Sequence, residues 1–444
     1  MELALNTGQA IAVNCALDAY EAQAPGYTII GEGGTGKTFS VMEIARLCAD
    51  EDIPVLFGAP TNKAVKQLEK AARRYGINMD KCGFRTAHSA LGLSLLPTDE
   101  RKRAVQVRDS VLPEYRIMIC DEGSMLNEVF LFDYLLPECE KHGVFLLIMG
   151  DNMQLPPVKE VKSLAFDIFA VSELTQVERQ KNNPDGTPNG ILEVTHPLRE
   201  AIKNNTTFDF NFVPKHNVTL LRAADFLSTV VEQFDLTTDL EDTRVLAWRN
   251  RRVDDINNAI RAKIYGKDAA RFEIGERLVT GGPVRISEFE SLSTDEESLV
   301  GGVKEGFIYD EETGERWKTW LITLHPVYAD AKQVFAHVMH EDENERYRRR
   351  CRELEEKAEN ARKNGGNVGW HWKNFHKFKD LFADLKYCYC ITVHRSQGST
   401  FKRVMVDVKD LLDNPLRSER QRLLYVAFSR AQEELIINKT GFKA

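Results

Sequence analysis

The chain has 444 residues, of which 43% are hydrophobic and 28% charged, so it can build real cores in about three average domains. No run approaches 18 uninterrupted apolar residues, which excludes a membrane span, and the acidic N-terminal stretch is not expected to be a secretion signal. A net charge of −8 argues against wholesale coating of nucleic acid but leaves room for a basic groove on an acidic body. The 8 cysteines are scattered, mostly in apolar runs, and form neither a disulfide framework nor a zinc pattern. Together these features point to a reduced, cytoplasmic protein, metal-free apart from whatever a substrate brings.

In chain order, Asn6 or Thr7 caps an amphipathic helix running to about Tyr20. A short β-rich run, Tyr27–Ile30, leads straight into GEGGTGKT and a second helical pattern, FSVMEIARLCAD. Residues 54–60, PVLFGAP, are a buried strand by apolar continuity, and 61–76 form a basic amphipathic helix ending at Gly76. Two more buried strands, RIMICDE (116–122) and VFLLIMGD (144–151), each end on a carboxylate. Strands alternating with helices, with polar residues at the strand ends, predict a parallel sheet whose site lies on the C-terminal edge.

A second set of the same kind opens at RVLAWRN (244–250) and a helical segment. It resumes with YCYCITVHRSQG (387–398), RVMVDV (403–408) and residues 420–437. That leaves residues 273–386 as an insertion. Its first part, to about Val327, suggests a small β-barrel, and its second part holds a highly charged helix stopped by Gly365 and Gly366. A smaller insertion between Leu91 and Arg116 reads as a projecting hairpin or an ordinary surface loop.

The segment Gly31–Thr38 fits G-x-x-x-x-G-K-[ST] and sits between a strand and a helix, the context this phosphate-binding pattern requires. Gly33, Gly34, Thr35 and Gly36 let backbone N–H groups close around phosphate oxygens at a helix N-terminus. Lys37 then reaches the β- and γ-phosphates, and Thr38 holds Mg²⁺. Asp121 and Glu122 follow a buried strand downstream of this loop. There, the first carboxylate suits Mg²⁺ and the second can polarise an attacking water. Gln154, after the next strand, can sense the γ-phosphate through its amide or be a plain turn residue.

The ordered blocks GEGGTGKT, GAPTNKAV, RTAHSALG, DEGSM, GDNMQLPPV, LTQVERQ, ITVHRSQGSTF and LLYVAFSRA resemble superfamily 1 DNA helicases of the RecD/Dda-like branch, over nearly the whole chain. The resemblance implies an α/β fold with two RecA-like P-loop domains that bind ATP and Mg²⁺ between them. In that scheme residues 1–91 and 116–180 form the first domain, with a hairpin or pin at 92–115. Residues 181–272 and 387–444 form the second, with the barrel and helical insertion at 273–386. It implies 5′ to 3′ movement on single-stranded DNA, with unwinding of forked duplex, or alternatively a translocase that displaces proteins without productive unwinding. A monomer or weak associate is expected, in a bacterial or phage-infected host cell, with replication, recombination or repair proteins as possible partners.

By the same resemblance, Gln9 reads adenine, and Arg179 and Arg430 contact the γ-phosphate. An arginine delivered across a cleft is worth about 10³–10⁵ in phosphoryl-transfer rate. Pro60, Thr61, Asn62, Thr86, His88 and Ser89 align with blocks that touch DNA from the first domain, and Thr392, His394 and Ser396 with those of the second. Hydroxyls and amides at strand ends suit phosphate contacts. Trp372 and Phe375, in a segment interleaving aromatics with bases, either stack on DNA bases or pack the charged helix onto the barrel. Leu95, Leu96 and Pro97 are candidates for an apolar strand-separating wedge, or pack inward. Two residues depart from the pattern: Thr400 stands where glutamate is common, and Arg395 where lysine is usual.

Overall fold

The computed structural model describes residues 5–95, 104–106, 108–157, 160–177, 189–208, 216–285, 291–329 and 333–439. The chain divides into two compact units. The first comprises Met1–Leu91, Ser110–Asp268 and Tyr389–Ala444, and the second Gly92–Asp109 and Ala269–Cys388.

The first unit contains two parallel sheets. Strands β1 (Gly26–Gly31), β2 (Val55–Ala59), β3 (Cys82–Thr86), β4 (Ile117–Cys120), β5 (Phe145–Gly150) and β6 (Val171–Leu174) form a six-stranded sheet in the order β3-β2-β4-β5-β1-β6. Every residue of β1, β2, β4 and β5 is buried, which is why these strands read as continuous apolar runs rather than alternating ones. Register brings the strand ends level: Ile30 lies opposite Gly150, and Gly58 opposite Cys120. The loops that follow these strands therefore leave the same edge of the sheet.

Helix α1 (Thr7–Glu21) begins with a capping box between Asn6 and Gln9, and its buried positions Gln9, Ala12, Val13 and Ala16 repeat at helical spacing. Helix α2 (Lys37–Asp50) starts at the last glycine of the phosphate-binding pattern. Helix α3 (Asn62–Arg74) is capped by Thr61, buries Ala64, Val65, Leu68 and Ala72, and ends on Arg73 and Arg74, the sign its C-terminal dipole favours.

The second sheet is also parallel. Strands β7 (Val218–Arg222), β8 (Thr243–Ala247), β9 (Cys390–Thr392), β10 (Phe401–Val406) and β11 (Ala431–Lys439) run in the order β9-β8-β10-β11-β7. Helices α4 (Gly190–Lys203), α5 (Asn250–Tyr265) and α6 (Arg417–Ser429) belong to this half. The sequence motifs gave no sign of α4, which carries Pro197 in its interior.

In the second unit, Leu93–Leu95 pairs antiparallel with Ala104–Gln106, the hairpin alternative of the sequence reading; Leu96 and Pro97 lie outside the described residues. Strands 277–280, 297–309, 316–326, 334–339 and 385–387 form a five-stranded antiparallel sheet. Its described pairings run in order from one edge strand to the other. One face packs Leu278, Val300, Ile322 and Leu324. The other carries Trp317, fully buried, against helices 344–363 and 368–379 through Leu354, Phe375 and Phe378.

This second core bears on the two alternatives left open for Trp372 and Phe375, and Phe375 takes the packing one. Phe375 is only 5% exposed and sits inside that core, so its ring has no free face for a base. Trp372 is half-buried, edge-to-face with Phe375 at 5.3 Å, and packs on the same cluster. Among the described residues no helix is long and apolar enough to cross a membrane.

Phe375→Ala is expected to destabilise this unit by about 3–5 kcal/mol, as for a buried aromatic truncated to a cavity. Denaturant titration reads the effect, and an unchanged midpoint would contradict the core placement.

Candidate nucleotide site and nucleic-acid interface

The edge where β1, β2, β4 and β5 end carries the chemistry. Gly36 begins α2 at φ +87°, a left-handed conformation that suits glycine, and a Cβ there would lie 2.2 Å from Gln9 Nε2. The glycine is thus required by both backbone and neighbour. Gln9 is buried, and both ends of its amide are engaged: Oε1 accepts from the Asn6 N–H at 3.0 Å, and Nε2 donates to the Thr35 carbonyl at 3.1 Å. The glutamine of the α1 capping box therefore also fastens the phosphate-binding loop. Thr35 closes the loop from within, donating to the Glu32 carbonyl at 2.8 Å.

The Lys37 ammonium donates to the carbonyls of Gly31 (2.7 Å) and Glu32 (2.9 Å). Burial lowers its pKa from the ordinary lysine value, and the nearby Asp151, Asp121 and Glu122 carboxylates oppose that fall. Asp121 is pushed up to about 7, chiefly by burial and then by Glu122, while the Glu122 N–H and Lys37 pull it back. Its Oδ1 accepts that N–H at 2.7 Å. Glu122 is also raised by burial and is held down by Arg430 first and Lys37 second. Its backbone sits at φ +53°, a left-handed conformation that a side chain adopts only under constraint.

Arg430 comes from the end of α6, in the other half of the unit. It is 5% exposed and donates to the carbonyls of Val426 (3.2 Å) and Ser399 (3.1 Å). The loop after β9 approaches as well: a Cβ on Gly398, at φ +71°, would lie 3.6 Å from both Ala64 Cβ and Glu122 Cγ. Glu122 therefore faces elements of both sheets. Arg179 lies outside the described residues.

The residues present fit a nucleoside triphosphate with a hard divalent cation. The Thr38 hydroxyl and the Asp121 carboxylate are oxygen donors of the kind such a cation takes. Gln154 Oε1 and Ser124 Oγ are buried and lack a hydrogen-bond partner among the described residues, a demand that a ligand or its water shell would meet. The ammonium, guanidinium and loop N–H groups supply the positive field that phosphates require.

The expected nucleic-acid residues behave unequally. Thr61, Thr86 and Thr392 each accept a backbone N–H through Oγ1, from Ala64 (3.2 Å), Ser89 (3.3 Å) and Arg395 (3.3 Å). A hydroxyl used as acceptor keeps its O–H to donate. Pro60, Asn62 and Ser89 are half-buried beside them. His88 stacks on Phe130 at 4.2 Å, and burial lowers its pKa. His394 is likewise lowered by burial, with Glu419 opposing at 4.0 Å. Ser396 does not meet the expectation: it is fully buried and spends its O–H on the Val393 carbonyl at 2.7 Å, so it holds the turn rather than a strand of DNA.

Sequence reasoning missed a polar network beside the site. Asp151, 1% exposed, receives Arg199 from α4 at 2.7 Å and Tyr425 from α6 at 2.6 Å. His196 of α4 lies 3.3 Å from Glu32 in the phosphate-binding loop. Arg199 and Tyr425 left no sequence signal, since a lone arginine on a helix reads as surface and a tyrosine in an apolar run reads as core.

Comparison with known proteins agrees with the two halves. Residues 14–160 match the AAA domain family, and residues 387–437 the UvrD-like helicase C-terminal domain family. The ATP-dependent DNA helicase Dda of Enterobacteria phage T4 is 26% identical over 463 residues, covering 97% of this chain and 98% of that one. The chain is similar to superfamily 1 helicases of the Dda/RecD type. An uncharacterized protein of Acanthamoeba polyphaga mimivirus is 25% identical, over 92% of this chain and 94% of its own. The crystal structure of Pif1 helicase from Candida albicans shares the fold, with a TM-score of 0.51 and 16% identity over 99% of this chain and 95% of that one.

Gly36→Ala is expected to force a left-handed alanine, a cost of about 1–2 kcal/mol, and to push Gln9 off the Thr35 carbonyl. Nucleotide affinity measured by titration should fall about tenfold or more. Unchanged affinity would show that the loop tolerates a side chain there.

Proposed function

We propose that this protein is an ATP-dependent DNA helicase that moves 5′ to 3′ on single-stranded DNA and unwinds forked duplex, with Mg²⁺-ATP as its fuel. In this reading Lys37 and the loop N–H groups bind the phosphates, Thr38 and Asp121 hold the cation, and Glu122 orients and deprotonates the attacking water. The cation supplies charge neutralisation at the phosphates when bound. Gln154 senses the γ-phosphate, Gln9 reads adenine, and Arg430, with Arg179, stabilises the charge that develops during transfer.

The observation that carries this reading is the approach of Gly398, from the half containing β7–β11, to Glu122 at the end of β4, whose carboxylate also feels the positive charge of Arg430. A site built from both halves completes itself only when they meet, so turnover is tied to their movement. Thr61, Thr86 and Thr392 hold DNA phosphates through their free O–H groups, positioning a strand without reading its sequence. The hairpin at 92–115 acts as the pin, and residues 273–386 form the insertion of the second domain. The protein works as a monomer or weak associate alongside replication, recombination or repair proteins. Its cysteines, all free thiols, suit the cytoplasm of a bacterial or phage-infected cell.

Lys37→Ala and Glu122→Gln should each abolish DNA-stimulated ATP hydrolysis, with Glu122→Gln still binding ATP; retained turnover in either overturns the role given to it. Matched duplexes with a 5′ or a 3′ tail test polarity: strand displacement from the 5′-tailed substrate alone is expected. A 3′ preference reverses the direction, and turnover without displacement from either substrate favours a translocase.

A further inference from the structure

The turn that follows β5 is held from outside its own sheet. Asp151 accepts from Arg199 Nη1 (2.7 Å) and the Tyr425 hydroxyl (2.6 Å). Arg422 Nη1 donates to the carbonyls of Asn152 (2.9 Å) and Gln154 (2.7 Å), and Gln397 Nε2 to that of Leu155 (3.1 Å). Within the turn, the Met153 N–H meets Asp151 Oδ1 at 3.0 Å and the Gln154 N–H meets the Asp151 carbonyl at 3.1 Å. Asp151 and Gln154 are both buried, so loss of the Tyr425 or Arg422 bond would leave a buried acceptor short of a donor.

We infer that Arg199, Arg422, Tyr425 and Gln397 are positioning residues that grip the 151–155 turn and thereby set where Gln154 points in the nucleotide site. This rests on the helicase reading above and assigns the parts that transmit closure. All four donors lie in the half containing β7–β11, on α4, α6 and the loop after β9. Gln154 belongs to the other half and reaches the site through a backbone whose carbonyls those donors hold. Separating the halves removes the donors from the turn and frees Gln154. Bringing them together restores both the charged pair at Asp151 and the aim of the amide. The grip thus reports closure to the site separately from Arg430, which delivers charge directly.

A double-mutant cycle tests this in the full-length chain. Tyr425→Phe removes one hydroxyl and keeps the buried ring; Gln397→Leu removes one donor at similar volume. Each should lower DNA-stimulated kcat about tenfold, the effect of about 1.4 kcal/mol of lost transition-state interaction, with KM for ATP within about twofold. Gln154→Ala should lower kcat at least as much. Tyr425→Phe combined with Gln154→Ala should be no slower than Gln154→Ala alone, because both act through one amide. Additive losses, or a change in melting temperature with kcat intact, overturn the grip and leave a merely structural contact. Wild-type protein without DNA-stimulated turnover sinks the helicase reading itself. In that event amide hydrogen exchange at 151–155 judges the grip: unchanged rates in Tyr425→Phe and Gln397→Leu refute it, and faster exchange in both sustains it.

Discussion

A charge taken out of water must find a partner, and in this chain the partners lie on different sheets. Lys37, Asp121 and Glu122 follow strands of the β1–β6 sheet, while the charge of Arg430, at the end of α6, acts on Glu122. Asp151 at the end of β5 is neutralised by Arg199 from α4. Breaking one member from a buried pair costs about 3–5 kcal/mol, far more than a solvent-exposed pair contributes. The two parallel sheets therefore have strong reason to meet along this seam. Any process that parts them must supply ligands or water to the stranded groups.

The same constraint explains why the seam is polar. Two RecA-like folds could bury an apolar face against each other and become one rigid body. The described contacts between them include charged pairs and donors to loop carbonyls: Arg199 on Asp151, Arg422 on Asn152 and Gln154, Gln397 on Leu155. Such bonds are worth little net when water can replace them and much when it cannot. An interface of this composition responds to whether the cleft is wet, which an interface of leucines would not.

How legible the site was follows from how local its causes are. The phosphate-binding loop, the strand ends at Asp121 and Glu122, and the helix capped at Thr61 are set within a few residues of chain. Apolar continuity, glycine spacing and capping chemistry revealed them. Arg199 and Tyr425 act across 48 and 274 residues of separation, and nothing near them in sequence announces a carboxylate partner. Helix α4 was hidden further by Pro197, whose missing N–H and ring usually end a helix. Phe375 and Ser396 went the other way. An aromatic among basic residues left stacking and packing open until burial in a core of residues distant in sequence chose packing, and a serine in a motif suggested ligand contact but spends its O–H on the Val393 carbonyl. Alternation in 273–327 announced strands, while the pairing of 277–280 with 385–387 depended on a partner about a hundred residues on.

Gln9 shows why local and distant causes cannot always be separated. Its Oε1 completes the capping box of α1, and its Nε2 holds the Thr35 carbonyl of the phosphate-binding loop. The amide offers an acceptor and a donor on one planar group, each aimed at its partner. Glutamate would keep the first bond and place a repelling oxygen against the Thr35 carbonyl, and shorter asparagine would not reach both. The glutamine is thus fixed by the fold before any base is considered. A base that pairs with this amide must do so through the hydrogen and lone pair left unused, or by displacing one of these two bonds. Were a base to pair here by displacement, it would compete with both the helix N-terminus and the phosphate-binding loop for one amide.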